Sequence, residues 1–321
     1  MTGYRHFDAD AVRAGLDYPG CIAAVRDAMR RLSTDAIDQP LRQIAEIAPE
    51  RRFALMPGVL GPDRGFGAKV ISVYGDADRP GRSTHRGIVV LFDPVTGDVA
   101  ATGDARAITD IRTACASAVA TDALARPAAT TLGIFGCGAL AAAHIDAIPL
   151  VRSIADIVVW GRDPARTAAF VDRMATETGP RIRATADPAD AAASDIVCTV
   201  TGSTTPVLLH EWVRPGTHVN LVGSSYPGPV EVDPALVLAG RYIADSRRSA
   251  LAAAAEFLDA KAAGLIDDSH IVAEIGDVLS GAVNGRRNDD EVTLYKSLGH
   301  IVQDLVALEY LCRTHSIVSP D

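Results

Sequence analysis

The order of short apolar runs after residue 130 constrains the fold of this chain more than any other feature. Apolar runs of strand length alternate there with alanine-rich segments of helical length. The runs are TLGIFG, DIVVWG, IRATAD, DIVCTV and HVNLVG, with RYIADS at 241–246 as a sixth candidate. Parallel strands that are buried on both faces and joined by crossover helices produce this pattern. The sequence therefore predicts an α/β fold with a doubly wound parallel sheet.

The first third of the chain is of a different kind. Residues 20–33 have apolar side chains at helical spacing, and short strand-like pieces follow Pro40. These pieces are RRFALMP, GAKVISVYG, HRGIVVLFD and DVAATGD, and the turn DPVTGD joins the last two. They predict a sheet of largely antiparallel character. The next segment, ITDIRTACASAVATDALARP, predicts a helix with Thr109 as its N-cap and Pro127 beyond its end.

A glycine-rich loop lies at the first strand-to-helix junction of the alternating region. The stretch GIFGCGALA places Gly136, Gly138 and Ala141 in a GxGxxA pattern. Glycine allows a tight turn and lets a pyrophosphate approach the backbone N–H groups at a helix N-terminus, and the third small residue lets helix and strand pack. The sequence therefore predicts a Rossmann domain that binds a dinucleotide.

The end of the second strand indicates which dinucleotide this is. An NAD site usually has an acidic residue here to bind the ribose hydroxyls, but this chain reads VVWGRDP. Gly161 and Arg162 stand in that place, and an arginine can pair with a 2'-phosphate, so NADP(H) is favoured over NAD(H). A solvated Arg162 is the alternative. Asp163, which precedes Pro164, also fits the N-cap of the next helix.

Two basic residues of the first region suggest an anion site. Lys69 lies among the apolar residues of GAKVISV, where burial would lower its pKa, although an edge-strand lysine whose amine reaches water is the alternative. Arg112 follows the predicted N-cap Thr109 by three residues. Its charge would oppose the helix dipole there unless an anion shared the site or solvent relieved the conflict. A substrate carboxylate would resolve it.

Composition limits the class of partner. The 321 residues carry a formal net charge of −9, which argues against nucleic acid and anionic membranes and favours a small-molecule partner. The chain shows no signal-peptide layout and no apolar run of membrane-spanning length, and its five cysteines are scattered. We expect a cytoplasmic protein with reduced thiols. The eight histidines form no metal-binding motif, so no metal site is predicted.

Taken together, these residues resemble the ornithine cyclodeaminase and mu-crystallin family. The matching stretches are LMPG, GAKVISVY, STHRGIVVLFDPVTG, ITDIRTACASAVAT, GIFGCGALA, VVWGRDP, THVNLVGSS and TLYKSLGHIVQD. The resemblance implies a homodimer of two-domain chains. It places an NAD(P)-binding Rossmann domain at residues 116–292. A discontinuous α+β domain for substrate binding and dimerisation is expected at residues 1–115 and is completed by residues 293–321.

The resemblance also implies the residues of the site, position by position. Arg42, Lys69 and Arg112 match family residues that surround the substrate carboxylate. Cofactor-contacting family positions are matched by Thr84, Gly136, Gly138, Arg162, Thr201 and Lys296. The predicted cofactor site also includes Ala139, Leu140, Gly161, Asp163, Gly202 and Gly223.

Departures from the family pattern bear on the reaction. Ser225 stands where the cyclodeaminases carry an aspartate that handles the amine. Ketimine reductases of the mu-crystallin type are similar to this chain in having a serine there, and also in having an arginine at the Arg162 position. Ala253 replaces a glutamate, which neutralises or enlarges part of the pocket, and Leu140 replaces a glutamine. The substrate of a well-known member therefore does not transfer directly to this chain.

These features predict an NADPH-dependent oxidoreductase acting on a C=N bond next to a carboxylate, either in a cyclic ketimine or in the imine of a 2-oxo acid and an amine. Amino-acid dehydrogenation is the same reaction in reverse. Arg112 and Arg42 would fix the carboxylate, and Lys69 would hold it or supply the proton. Ser225 would bind the imine nitrogen or a water. The alternatives are an ornithine or lysine cyclodeaminase with bound NAD, and an NADPH-dependent ligand-binding protein of the mu-crystallin type.

Overall fold

The computed structural model describes residues 4–35, 37, 39–49, 51–74, 85–175, 179–226 and 228–315. Thr84 therefore lies outside the described residues. The strands are β1 (Arg5–Phe7), β2 (Gln43–Ala48), β3 (Arg51–Gly61), β4 (Gly65–Tyr74), β5 (His85–Phe92), β6 (Val99–Asp104), β7 (Thr131–Phe135), β8 (Asp156–Trp160), β9 (Arg181–Thr185), β10 (Ile196–Thr199), β11 (His218–Leu221), β12 (Arg241–Ala244), β13 (Ile271–Glu274) and β14 (Thr293–Lys296). The helices are α1 (Ala9–Gly15), α2 (Tyr18–Thr34), α3 (Ala105–Leu124), α4 (Ala139–Ala147), α5 (Pro164–Met174), α6 (Pro188–Ala192), α7 (Pro234–Ala239), α8 (Arg247–Ala253), α9 (Ala255–Ala262), α10 (Ile275–Leu279) and α11 (Ile301–Thr314).

The chain divides into two compact units. The first unit comprises the described parts of residues 1–112 and 300–321, and the second comprises those of residues 113–299. The division falls inside α3, three residues before the predicted boundary at 115. Among the described residues, no helix is long and apolar enough to span a membrane.

The first unit is built on a six-stranded sheet in the order β1-β6-β5-β4-β3-β2. Its strands pair in antiparallel fashion, except that β1 runs parallel to β6. Residues alternate along β3 between a buried face and a more exposed one, and α11 packs on the buried face. The approach is close, because a Cβ atom at Gly58 would lie 2.4 Å from a side-chain carbon of Ile301. The predicted antiparallel sheet is confirmed, with β1 and β2 as additional strands.

The second unit contains an eight-stranded sheet in the order β13-β12-β14-β11-β10-β7-β8-β9. All of its strand pairs are parallel. Every residue of β10 and β11 is buried, as expected for strands covered on both faces. The predicted doubly wound parallel sheet is therefore confirmed. One assignment differs: β14 pairs with β11 and β12, so residues 293–299 belong to this unit and not to the first.

The predicted N-cap of α3 is wrong. The helix begins at Ala105 directly after β6, and Asp104 caps it by accepting a hydrogen bond from the Ala107 N–H at 2.8 Å. Thr109 lies inside the helix, where its hydroxyl donates to the Ala105 carbonyl. Aspartate at a strand end satisfies the first helical N–H groups, so no later cap is needed. Arg112 therefore lies beyond the first turn, and the argument that placed it at the positive end of the helix dipole fails.

Candidate active site

Lys69 occupies a central strand of the first unit. Since β4 lies between β3 and β5, the alternative of an edge-strand lysine is wrong. The side chain is buried, and its ammonium donates to the Thr109 hydroxyl and to Asp304 Oδ1, the latter at 3.1 Å. Burial lowers the pKa of Lys69 to about 8, against the opposing charge of Asp304. This amine can therefore exchange a proton near neutral pH.

Arg112 converges on the same carboxylate. Its Nε donates to Asp304 Oδ1 at 3.0 Å and its Nη1 to Gln303 Oε1 at 2.7 Å, and it is 3% exposed. Burial opposes ionisation of Asp304, but the charges of Arg112 and Lys69 outweigh it and hold the Asp304 pKa below its usual value. The partners of Arg112 in the structure are therefore the Asp304 carboxylate and the Gln303 amide oxygen.

Gln303 and Asp304 were not predicted from the sequence. They begin α11, in the run IVQDLVALEYL, where every residue from Ile301 to Leu308 is buried. A charged residue in a helix that is apolar on all sides needs a buried partner. An aspartate within the apolar run IVQDLVALEYL could therefore have indicated a buried ion pair.

Arg42 belongs to the same electrostatic environment. Its positive charge contributes to lowering the pKa of Lys69 and of the buried His300. The structure thus brings together the three basic residues that the sequence assigned to the substrate carboxylate. Two cations, Lys69 and Arg112, share one oxygen of the Asp304 carboxylate, so this group of three side chains keeps a net positive charge that suits an anionic ligand.

The glycine loop of the second unit has the geometry of an anion cradle. Gly136 has φ +127°, a conformation that favours glycine, and its N–H donates to the Trp160 carbonyl. Gly138 is the N-cap residue of α4 and provides no side chain to cap it. A Cβ atom at Gly138 would meet no heavy atom within 4 Å, and Gly138 and Ala139 are exposed. The first N–H groups of α4 are open to a pyrophosphate, so the loop fits a dinucleotide.

His144 anchors the first turn of α4 through two hydrogen bonds of its side chain. Its Nδ1 donates to the carbonyl of Leu140 at 2.7 Å, and its Nε2 accepts from the Ser117 hydroxyl at 2.9 Å. Burial lowers the pKa of His144 to about 4, so the ring is neutral, as this pairing requires. The Leu140 backbone is thereby held in place.

The end of β8 presents Arg162 to solvent. Gly161 is buried, and a Cβ atom there would lie 2.5 Å from the Thr167 hydroxyl oxygen, whereas Arg162 is exposed. Asp163 caps α5 by accepting from the N–H groups of Ala165 and Arg166 at 3.0 and 3.1 Å. The predicted capping role of Asp163 is confirmed, and its contact with a cofactor stays a prediction.

A buried glutamate joins the carboxyl ends of β10 and β11. Glu231 accepts from the Thr199 hydroxyl, from both N–H and hydroxyl of Thr201, and from the Gly223 N–H, at 2.6 to 2.8 Å. A Cβ atom at Gly223 would lie 2.0 Å from the Thr201 carbonyl oxygen, so only glycine fits there. Gly202, by contrast, is exposed. Glu231 was missed, although an acid between two valines in PVEVDP indicates a buried carboxylate.

Lys296 is held by protein groups. Its ammonium, fully buried, donates to the Ser224 carbonyl at 2.6 Å, to the Ser224 hydroxyl at 2.5 Å and to Glu256 Oε1 at 2.5 Å. An ammonium has three donors, and all three are used. In this arrangement Lys296 has no donor left for a cofactor and instead fixes the residue that precedes Ser225. Ser225 itself is half-buried.

The predicted residues thus fall into two groups. Lys69, Arg112 and Arg42 form the basic cluster of the first unit. The second unit carries the loops at the carboxyl ends of β7, β8, β10 and β11, where open parallel sheets bind their ligands. Among the described residues, no three His, Cys, Asp or Glu side chains are grouped so that they could hold a metal ion.

Comparison with known proteins gives a consistent result. The model of the ornithine cyclodeaminase/mu-crystallin family matches residues 9–316. A Delta(1)-pyrroline-2-carboxylate reductase of Bacillus cereus is 34% identical over 287 residues, 88% of this chain and 88% of that protein. Ketimine reductase mu-crystallin of Mus musculus is 32% identical over 271 residues, which cover 84% of this chain and 82% of that protein.

A solved structure also matches both units. It is that of Thermococcus litoralis Delta(1)-pyrroline-2-carboxylate reductase in complex with NADH and L-proline. The match has a TM-score of 0.92 at 28% sequence identity and covers 97% of each chain.

Proposed function

The chain belongs to the ornithine cyclodeaminase/mu-crystallin family, and from that premise we propose that it is a nicotinamide-dependent oxidoreductase acting on a C=N bond next to a carboxylate. Amino-acid dehydrogenation is the reverse of the same reaction. The observation that carries the proposal is the buried cluster in which Lys69 and Arg112 share one carboxylate oxygen and retain net positive charge. Relatives named as reductases of pyrroline carboxylate and of ketimines act on substrates that such a cluster would bind.

Arg112 is suited to fix the substrate carboxylate. A guanidinium has five N–H donors, and the described contacts of Arg112 occupy two of them. The remaining donors are available for a carboxylate, while Asp304 and Gln303 hold the group rigid. Fixing the carboxylate determines which face of the imine carbon is presented for reduction.

Lys69 is suited to move the proton. Its pKa of about 8 leaves it mostly protonated at neutral pH, so it can protonate the imine nitrogen during reduction and accept that proton in the reverse reaction. When bound, the nicotinamide supplies or accepts the hydride. Ser225, neutral and half-buried, is assigned to a hydrogen bond with the substrate nitrogen or with a water.

We assign NADP(H) as the preferred cofactor. The support is Arg162, which is exposed directly after β8, and the lack of an acidic residue between Trp160 and Arg162. A guanidinium in that position pairs with a 2'-phosphate, whereas an acid would repel it. The solved structure of the Thermococcus litoralis reductase holds NADH, so the preference of this chain needs its own measurement.

We further propose that the chain forms a homodimer through the outer face of the first unit's sheet. Large apolar side chains on this face that are more than one third exposed include Phe53, Val59, Phe66 and Ile88. Phe66 stacks on Phe92 of the neighbouring strand at 5.2 Å between ring centroids, so the apolar surface there extends over both strands. An exposed apolar patch of this kind is typical of an interface.

The dimer is tested by light scattering. The double variant Phe53→Asp/Ile88→Asp places two charges on the apolar face and should be a monomer. The control is Val95→Asp, at a position that lies in a turn and is 90% exposed, and it should leave the dimer intact.

The reaction is tested by following NADPH absorbance with cyclic imine carboxylates and with pairs of 2-oxo acids and amines. Oxidation of NADPH that depends on the imine supports the proposal. Ornithine is assayed in parallel for release of ammonia and formation of proline. Formation of both without net change in cofactor would replace the proposal with a cyclodeaminase. Binding of the imine without turnover would replace it with a ligand-binding protein.

A further inference from the structure

Asp304 is the residue on which the basic cluster converges. Lys69 Nζ and Arg112 Nε reach the same oxygen, Oδ1, at 3.1 and 3.0 Å. The other oxygen, Oδ2, is buried and accepts no hydrogen bond from any described residue. We propose that Asp304 is a positioning residue that keeps Lys69 protonated and so sets the upper pH limit of imine reduction, an inference that rests on the proposed function.

The charges around Lys69 single out Asp304. Arg112 and Arg42 are positive and disfavour the ammonium. Asp110 is the other carboxylate that acts on Lys69, but it pairs with Arg106, and burial raises its pKa. His300 is buried and neutral, because burial lowers its pKa to about 4. Among the described residues, Asp304 is thus the anion in direct contact with Lys69, and without its charge the two arginines would dominate.

The fold keeps Asp304 charged. It is fully buried in the first turn of α11, where the helix dipole favours a negative group. Two cations on one oxygen offset the cost of burying that charge. The Thr109 hydroxyl accepts from Lys69 and donates to the Ala105 carbonyl, so it adds a neutral acceptor for the ammonium. Asp304 and Thr109 therefore both stabilise the protonated form of Lys69.

The proton balance of the reduction shows why this matters. The hydride adds two electrons to the imine carbon, and the imine nitrogen gains a proton as a bond between Nζ and hydrogen of Lys69 breaks. Lys69 is left neutral and takes a proton from solvent before the next turnover. A lysine that is already neutral cannot perform this step, so the activity falls as pH rises through the Lys69 pKa. An opposite charge in contact shifts a pKa by about 1–3 units, and Asp304 provides that shift.

The test is the pH profile of kcat/KM for reduction by Asp304→Asn, with a cyclic imine carboxylate and saturating NADPH. We expect the basic limb to move down by about 1–3 pH units relative to wild type. Gln303→Met is the matched control, because it removes the neighbouring contact to Arg112 without changing charge. It should raise the KM of the imine and leave the basic limb where it is.

A merely structural role for Asp304 would give a different result. An Asp304→Asn enzyme that is folded, binds NADPH and loses the same factor of activity at every pH would overturn the inference. So would an unchanged basic limb. If the asparagine variant does not fold, Asp304→Glu keeps the charge and should keep the limb near that of wild type, and a limb displaced as far as expected for the asparagine overturns the inference.

A measurement that needs no turnover distinguishes failure of the proposed function from failure of the inference about Asp304. If wild type reduces none of the imines, that function fails. The titration of Lys69 is then followed by ¹³C NMR of its ε-carbon, assigned with a Lys69→Met sample. A midpoint near 8 in wild type that falls in Asp304→Asn or persists in Asp304→Glu supports the role of Asp304. The same midpoint in Asp304→Asn, or loss of the midpoint in Asp304→Glu, rejects it.

Discussion

The ammonium of Lys296 lies 2.5 Å from Glu256 Oε1, and the two side chains are 0% and 1% exposed. The Ser224 hydroxyl donates to the other carboxylate oxygen at 2.7 Å and accepts from Lys296. This closed network joins β14 and α9 to the loop that follows β11. It holds the backbone immediately before Ser225, so a residue assigned to the substrate is fixed by a buried ion pair one position away.

Breaking that pair should cost much of the stability of the fold. Replacing Glu256 with leucine leaves the buried Lys296 charge without its partner, which typically lowers the free energy of unfolding by about 3–5 kcal/mol. The double variant Glu256→Leu/Lys296→Met removes both charges and should recover most of the loss. Urea denaturation measures both. The exposed pair of Lys261 and Asp268 is the control, since Lys261→Met should change stability by less than about 1 kcal/mol. A double variant as unstable as the single would contradict this account.

Arg112 should not tolerate replacement by lysine. A lysine cannot keep the bonds to Asp304 and Gln303 and also present a planar fork to a carboxylate. A charge-assisted hydrogen bond is worth about 1.5–3 kcal/mol, so the KM of the imine carboxylate should rise about 10- to 100-fold in Arg112→Lys. The KM of NADPH should not change. Arg106→Lys, on the same helix but partly exposed, should behave as wild type in steady-state kinetics. Equal effects in the two variants would remove Arg112 from the site.

Arg162 should determine the choice between the two nicotinamide cofactors. Its side chain is exposed at the end of β8, where a 2'-phosphate would pair with it. Loss of such a pair in Arg162→Ala should lower the ratio of kcat/KM for NADPH over NADH by about 10- to 100-fold. Arg214→Ala is the control, because Arg214 is exposed before the amino end of β11, whereas Arg162 follows the carboxyl end of β8. An unchanged ratio in Arg162→Ala would show that cofactor preference has another origin.

The parallel sheet of the second unit could be predicted because most of its strands can be recognised from their own residues alone. Strands such as β10 and β11 are buried on both faces, so each is a continuous apolar run that can be recognised without knowing its neighbours. The strands β2 and β13, QIAEIA and IVAE, mix polar and apolar residues, and no pattern distinguishes them from loops. The N-cap of α3 was assigned wrongly because Asp104 and Thr109 both have side chains that can cap, and local chemistry does not decide between them.

The candidate site was predictable only in part, for the same reason. Lys69 and Arg112 each stand out against their local surroundings. Their shared partner Asp304 is 235 and 192 positions away along the chain, so only the packing of α11 on the sheet brings it there. The roles of Glu231 and Glu256 likewise depend on which strand ends become neighbours. Single binding residues can be recognised from the sequence around them. The carboxylates that pair with them can be identified only once the fold shows which segments are neighbours.

Stability should fall in mild acid because three histidines are buried in the neutral form. Burial lowers the pKa of His144 to about 4, of His218 to about 3 and of His300 to about 4. In the unfolded chain these rings take up a proton near pH 6.5, so acid stabilises the unfolded state. Their contribution is complete above that pH and is lost as the pH falls towards the folded values. Each should cost about 2 kcal/mol between pH 6.5 and 5.

Urea denaturation at pH 7, 6 and 5 measures this slope. His144→Gln should reduce it by about one third, because one of the three groups no longer titrates. The variant will also be less stable at pH 7, since the amide cannot reproduce both hydrogen bonds of the ring, to Leu140 and Ser117. His6→Gln, at an exposed position of β1, is the matched control and should leave the slope unchanged. If the slope of His144→Gln equals that of wild type, the acid sensitivity must arise from the carboxylates instead.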